Sequence, residues 1–155
     1  MQAVEILKNT KVFKNTLLVL WGREVDNGEV RRKIVEYQLH KNVILGGFND
    51  QMDIFWKFCD INLFLSLNDG FGLPIVEGYM HGVPCVTFED LDATQDLYYP
   101  EAMLKVKDRS IESVANALRT SLDKNWNHEE IAEIGNMFSI DSMSEKYVNW
   151  YRTLI

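Results

Sequence analysis

Five short apolar runs punctuate the chain, and longer stretches with a helical period separate them. Thr16–Trp21 is almost wholly apolar and is closed by Gly22, as expected of a strand covered on both faces. Val43–Leu45 ahead of Gly46-Gly47, Ile61–Ser66, Pro84–Phe88 and the weaker Met103–Val106 repeat that pattern. Strands that are apolar on both faces suit a parallel sheet with helices on each side.

Between these runs lie helical patterns. From about Gln2 to Lys14, Val4, Leu7 and Lys8, then Lys11 and Val12, form a stripe, and over Asn27 to Leu39 the residues Val30, Ile34 and Val35 share a face. Asn49 is placed to cap a helix carrying Met52, Phe55, Trp56 and Cys59. Ser110 is placed to cap another, with Ile111, Val114, Ala115, Leu118 and Leu122 in register. Met143, Tyr147, Trp150, Tyr151 and Leu154 form a last stripe, whereas residues 89–99 read as a connection. The alternation predicts an α/β fold: a Rossmann-like, doubly wound parallel sheet of about five strands with helices on both faces. No repeat, low-complexity tract or linker interrupts it, so residues 1–155 read as one domain.

Composition narrows the partners. Charged residues make up 25% of the 155 and the net charge is -7, with no dense Lys/Arg block. Long-range attraction to nucleic acid or to an anionic membrane is not expected, although a local basic pocket for a phosphate stays open. Cys59 and Cys85 are isolated within apolar surroundings, which points to a reducing compartment rather than a disulfide framework. They make no zinc site unaided, and His40, His81 and His128 lack metal-ligand spacing. No apolar run approaches the roughly 20 residues that cross a bilayer, and the N-terminus lacks the layout of a signal peptide. These features predict a cytoplasmic chain with no metal and no cofactor.

One stretch carries chemistry: Phe64-Leu-Ser-Leu-Asn-Asp-Gly-Phe-Gly-Leu-Pro-Ile-Val-Glu-Gly-Tyr-Met-His-Gly-Val-Pro-Cys-Val. A strand ends near Ser66, and a loop with Gly70 and Gly72 follows. Pro74 falls where a first helical turn tolerates a missing N–H, and Glu77 is expected in that turn, near the positive end of the dipole. Gly82 ends the helix and Pro84 keeps it from resuming. Ligands of parallel sheets bind past the carboxyl ends of strands. There, glycines allow close backbone approach, and helix-start N–H groups hold phosphate oxygens. Asp69 and Glu77, bracketing the turn, can accept hydrogen bonds from hydroxyls. That combination suits a nucleotide sugar, while a plain strand–turn–helix with solvated acids is the alternative reading of the same residues.

The run resembles the acid–seven residues–acid signature of the retaining glycosyltransferases with the GT-B fold. Their usual pattern is Glu-Gly-Phe-Gly-Leu-Pro-x-x-Glu-Ala followed by Gly-x-Pro-Val-Val. Leu17–Gly22, Asn42–Gly46, Asp60–Ser66 and the closing Tyr-rich helix fall in matching order, so the resemblance covers nearly the whole chain. It implies that Glu77 binds the ribose hydroxyls of a donor nucleotide and that Asp69 holds hydroxyls of the transferred sugar. Both are thereby the candidate catalytic-site acids. It also implies that the backbone of Gly70, Phe71, Gly72 and Leu73 meets the donor phosphates and sugar. The Gly46-Gly47-Phe48 turn would lie beside the base. The expected partner is a nucleoside-diphosphate sugar. An acceptor, and any peripheral membrane association, would come through an N-terminal domain that is not in these residues.

The sequence departs from the pattern in places. Asp69 is one methylene shorter than the usual glutamate, Gly78 replaces alanine, and residues 89–99 lack a glycine-rich turn common in the family. Relatives open the domain with a strand followed by Arg and Lys five positions apart, which neutralise the donor diphosphate, and this sequence has no such opening. Arg23, after a different strand, reads either as a partial substitute or as a solvated arginine. If the flanking strands close the gap, the strand order becomes 2-1-3-4-5. A fragment of a longer gene would begin the same way. Two functions follow: a donor-binding enzyme domain inactive on its own, or a non-catalytic glycosyltransferase-like binding or partner subunit.

Overall fold

The computed structural model describes residues 2–7, 10, 15–23 and 28–154. Among them the chain runs α1 (Gln2–Leu7), β1 (Leu18–Trp21), α2 (Glu29–Glu36), β2 (Val43–Gly47), α3 (Met52–Trp56), β3 (Asn62–Phe64) and α4 (Leu73–Met80). It continues through β4 (Cys85–Phe88), α5 (Asp92–Leu97), β5 (Met103–Val106), α6 (Ile111–Asp123), α7 (His128–Asn136) and α8 (Ile140–Arg152). The expected α/β alternation is present, and every strand pairing is parallel. Most of the predicted helix beyond Leu7, and the Asn27 start of the next one, lie outside the described residues.

The strands form two hydrogen-bonded sets, β1-β2 and β3-β4-β5. The order 2-1-3-4-5 therefore does not hold, because β1 and β3 do not pair. Side chains rather than backbone bonds join the sets. Leu18 and Leu20 pack with Ile61, Leu63 and Leu65 against one cluster that includes Val86, Phe88 and Val106, together with Ala3, Val4 and Leu7 of α1 and Val114 and Leu118 of α6. Because side chains alternate along a strand, Cys85 and Met103 face the other way. They enter a second cluster with Ile75 and Tyr79 of α4, Leu97 of α5, and Ile131 and Ile134 of α7. Helices thus cover both faces of β3–β5.

The two helix starts read from capping residues in the sequence turn out differently. Ser110 caps α6, its hydroxyl accepting from the Ser113 amide at 3.1 Å. Asn49 does not cap α3. Its side chain accepts from the Gln51 amide at 2.7 Å, forming a turn one step earlier, and Gln51 occupies the cap position without a side-chain bond.

Two elements go beyond the expected pattern: α5, within the expected connection of residues 89–99, and α7. Helix α7 crosses α4 at Gly135, where an added Cβ would run into the backbone of Tyr79 and Met80. The His128 ring also bonds the Gly82 carbonyl at 2.8 Å. At the far end α8 buries no residue, and Tyr147, Trp150 and Tyr151 are all more than half exposed. No described helix is long and apolar enough to cross a membrane.

Candidate functional site

The segment Asp69–Leu73 links β3 to α4, and its Gly72 packs beside Ala93 and Leu97 of α5, the helix that follows β4. Gly72 takes the N-cap position of α4 with φ 83°, a left-handed conformation that favours glycine. A Cβ there would also press on Ala93 and Ile75 at 3.0 Å. Leu73 and Pro74 follow as the first two helical residues. The helix ends in a Schellman arrangement: Val83 N–H donates to the Gly78 carbonyl and Gly82 N–H to the Tyr79 carbonyl, both at 2.8 Å, with Gly82 at φ 74°. Gly78 is explained by close packing, since a Cβ would meet the Asn62 amide nitrogen at 3.3 Å. That Asn62 amide donates to the Pro74 carbonyl at 2.8 Å, anchoring the helix start to β3.

The two acids of the signature differ in position and employment. Asp69 is partly buried, and its Oδ1 accepts from the Phe71 amide at 3.1 Å and from the Gly72 amide at a still shorter distance. Its carboxylate thus closes its own loop, using two of the N–H groups expected to face phosphates. The Gly70 and Leu73 N–H groups have no acceptor among the described residues. Glu77 lies in the second turn of α4 rather than the first, so it sits farther from the dipole end than the sequence suggests. Its side chain is exposed and makes no hydrogen bond or ion pair with the described residues. The neighbouring His81 is bound to its own helix through Nδ1 and the Glu77 carbonyl at 2.9 Å. Its Nε2 lies 3.8 Å from Asp53 of α3.

Gly46, Gly47 and Phe48 lie at the carboxyl end of β2, beside that of β1. Gly46 serves packing: a Cβ would drive into the Trp21 indole, which lies 4.0 Å from the Phe55 ring. Gly47 takes φ 70° with open space around it, and Phe48 is 61% exposed under the Arg23 guanidinium at 4.9 Å. Of the aromatic residues near α3, Trp56 is buried and Phe58 is on the surface.

Two cations of β5 and the segment after it, Lys105 and Arg109, are engaged with acids. Lys105 pairs with Glu89 at 3.1 Å. Arg109 grips both carboxylate oxygens of Asp90, Nε and Nη2 each at 3.1 Å. Arg109 carries no local signal in the sequence, since its partner is 19 residues away. Burial pushes the Cys85 thiol and the Tyr79 phenol far up, and the phenol donates to the Leu97 carbonyl at 3.1 Å. Both are inert core groups. Among the described residues no three His, Cys, Asp or Glu side chains cluster as metal ligands.

Parallel strands with helices on both faces, and an acid-flanked glycine turn at their carboxyl edge, give the fold found in GT-B glycosyltransferases. The family model for Glycosyl transferases group 1 matches residues 1–136, so the chain belongs to that family. A curated relative is the poly(glycerol-phosphate) alpha-glucosyltransferase of Bacillus subtilis (strain 168), 24% identical over 138 residues, which span 88% of this chain and 20% of the relative. Two solved structures agree in fold. A glycosyltransferase from Rickettsia africae ESF-5 superposes with TM-score 0.81 at 18% identity, over 98% of this chain and 42% of its own. The pneumococcal O-GlcNAc transferase GtfA, solved with UDP and GlcNAc, gives TM-score 0.78 at 16% identity, over 98% of this chain and 32% of its own. At such identities the likeness shows the fold alone, and the chain spans less than half the length of each of these proteins.

Proposed function

We propose that this chain is the donor-binding half of a retaining glycosyltransferase. It would hold a nucleoside-diphosphate sugar while an N-terminal domain presents the acceptor. The observation that carries this reading is Glu77: an exposed carboxylate with no partner among the described residues, on the helix whose leading loop offers N–H groups at Gly70 and Leu73 that are unpaired among those residues. A carboxylate accepts two hydroxyl hydrogen bonds, matching a ribose, and free helix-start N–H groups match phosphate oxygens. Gly70 has no steric reason to be glycine in the free protein, with nothing within 4 Å of an added Cβ. A ligand approaching the backbone supplies one. Phe48, exposed at the neighbouring strand end, offers a flat face to the base. The UDP in the GtfA structure is the kind of ligand this site would take.

In the complete enzyme, catalysis would come from fixing the donor and stabilising the departing diphosphate. Asp69 acts in this reading chiefly by shaping the loop, with its second oxygen left for a sugar hydroxyl. The exposed apolar face of α8 fits a protein with a further domain to pack against. One observation favours a non-catalytic subunit instead: Lys105 and Arg109 are held by Glu89 and Asp90 rather than left for a diphosphate. Calorimetric titration with UDP and GDP separates the readings. The donor site predicts binding that weakens about 10- to 100-fold in Glu77→Ala, the loss of charge-assisted bonds. Absence of binding in the unaltered chain favours the partner subunit.

A further inference from the structure

We propose that Arg109 is a positioning residue, a latch that fixes the entry of the Asp69–Gly72 loop by tying together the segments that follow β3, β4 and β5. Its guanidinium forks onto Asp90, two residues past β4, and its Nη2 also donates to the Leu67 carbonyl at 3.4 Å, three residues past β3. The same group stacks 4.6 Å from the ring centroid of Phe88, a core residue only 6% exposed. Its backbone is fixed in turn, because Asp108 accepts from the Ser110 amide at 2.8 Å and the Ser113 hydroxyl at 2.9 Å at the start of α6.

An isolated surface ion pair contributes little. This one differs in three respects: a bidentate fork, which is directional, a stack on a fixed aromatic ring, and a backbone carbonyl as third partner. Leu67 stands two residues ahead of Asp69. With Arg109 holding the loop at its entry and the Asp69 carboxylate closing it at Phe71 and Gly72, the segment is fixed from both sides before any ligand arrives. A loop ordered beforehand spares a ligand the cost of ordering it. The role in ligand binding rests on the donor-site reading above, whereas the latch itself does not.

Amide hydrogen exchange and UDP titration of Arg109→Gln and Arg109→Lys test it. Arg109→Gln should speed exchange at Phe71 and Gly72 about three- to tenfold, with the β4 amides unchanged, and weaken UDP binding by a similar factor. Arg109→Lys, which keeps the charge but not the fork, should behave like Gln rather than like the unaltered chain. Salt of about 1 M should shrink the difference between the unaltered chain and both variants. Unchanged exchange at Phe71 and Gly72, or equal acceleration throughout the fold, overturns the latch. Exchange that responds while UDP affinity does not overturns its role in binding. If the unaltered chain binds no UDP, the donor-site reading fails, yet the exchange measurement still decides the latch.

Discussion

The carboxyl edges of the two strand sets are held in different ways. Past β3, β4 and β5, the segments are tied by Arg109, by the Asp69 carboxylate and by a helix whose two ends are both capped by left-handed glycines. Past β1 and β2 the ties among the described residues are fewer: a bond from Gly22 N–H to the Gly47 carbonyl at 2.9 Å, the Asn49 side chain accepting from the Gln51 amide at 2.7 Å, and Arg23 lying over an exposed Phe48. The first edge holds the Asp69 carboxylate and its loop N–H groups in place, which suits the hydroxyl and phosphate recognition proposed above. The second leaves the Phe48 ring exposed, which suits the proposed stacking on a flat partner. Directional ties are thus concentrated at the first edge among the described residues.

The largest expected effect breaks the fixed edge from below. Gly135→Ala sets a Cβ against the α4 backbone, so α7 and α4 must separate. Denaturant unfolding should show a loss of about 3 kcal/mol, the upper range for overpacking. Gly46→Ala strikes the other edge by displacing the Trp21 ring, a side chain that can move more readily than a helix backbone. A smaller loss of about 1–2 kcal/mol is expected by the same measurement. If the two losses were equal, the two edges would not differ in rigidity as described.

Gly70→Ala sharpens the contrast further. Its φ is not positive and nothing lies within 4 Å of an added Cβ, so stability should stay within about 0.5 kcal/mol. UDP affinity should nonetheless fall about tenfold, by obstruction of the loop backbone. The smallest effect concerns pH. Hydrogen bonds from Ser110, and then from Ser113, hold the Asp108 carboxyl below its ordinary value of 3.8. A lowered folded-state value means that its contribution to stability is complete above the unfolded value. It is lost only as pH falls below about 3.8 through the lowered one. Thermal unfolding should therefore show no slope from Asp108 between about pH 5 and 8, and an acid limb that Asp108→Asn flattens.

What could be read in advance was what local chemistry decides. Ser110 as a cap, Gly82 and Pro84 as a helix stop, and the apolar runs of all five strands depend on neighbours a few residues away. The rest depends on contacts distant in sequence. Helix α7 carries a capping signal in Asn127, whose side chain accepts from the Glu130 amide, but only Ile131 and Ile134 mark its buried face. Its close crossing at Gly135 shows only once α4 lies beside it. The separation of β1 from β3 and the grip of Arg109 on Asp90 are likewise non-local. Asp69 is the instructive case. An Asp two residues before a bonded amide is a local turn signal, and Asp69 fills that role through one oxygen while the other makes no bond among the described residues.

The most direct test of the account is a crystal structure of the chain with UDP. The account predicts the ribose hydroxyls within about 2.5–3.0 Å of the Glu77 carboxylate, the diphosphate against the Gly70 and Leu73 amides, and the base toward Phe48. Nucleotide bound elsewhere, with Glu77 still free in solvent, would contradict it.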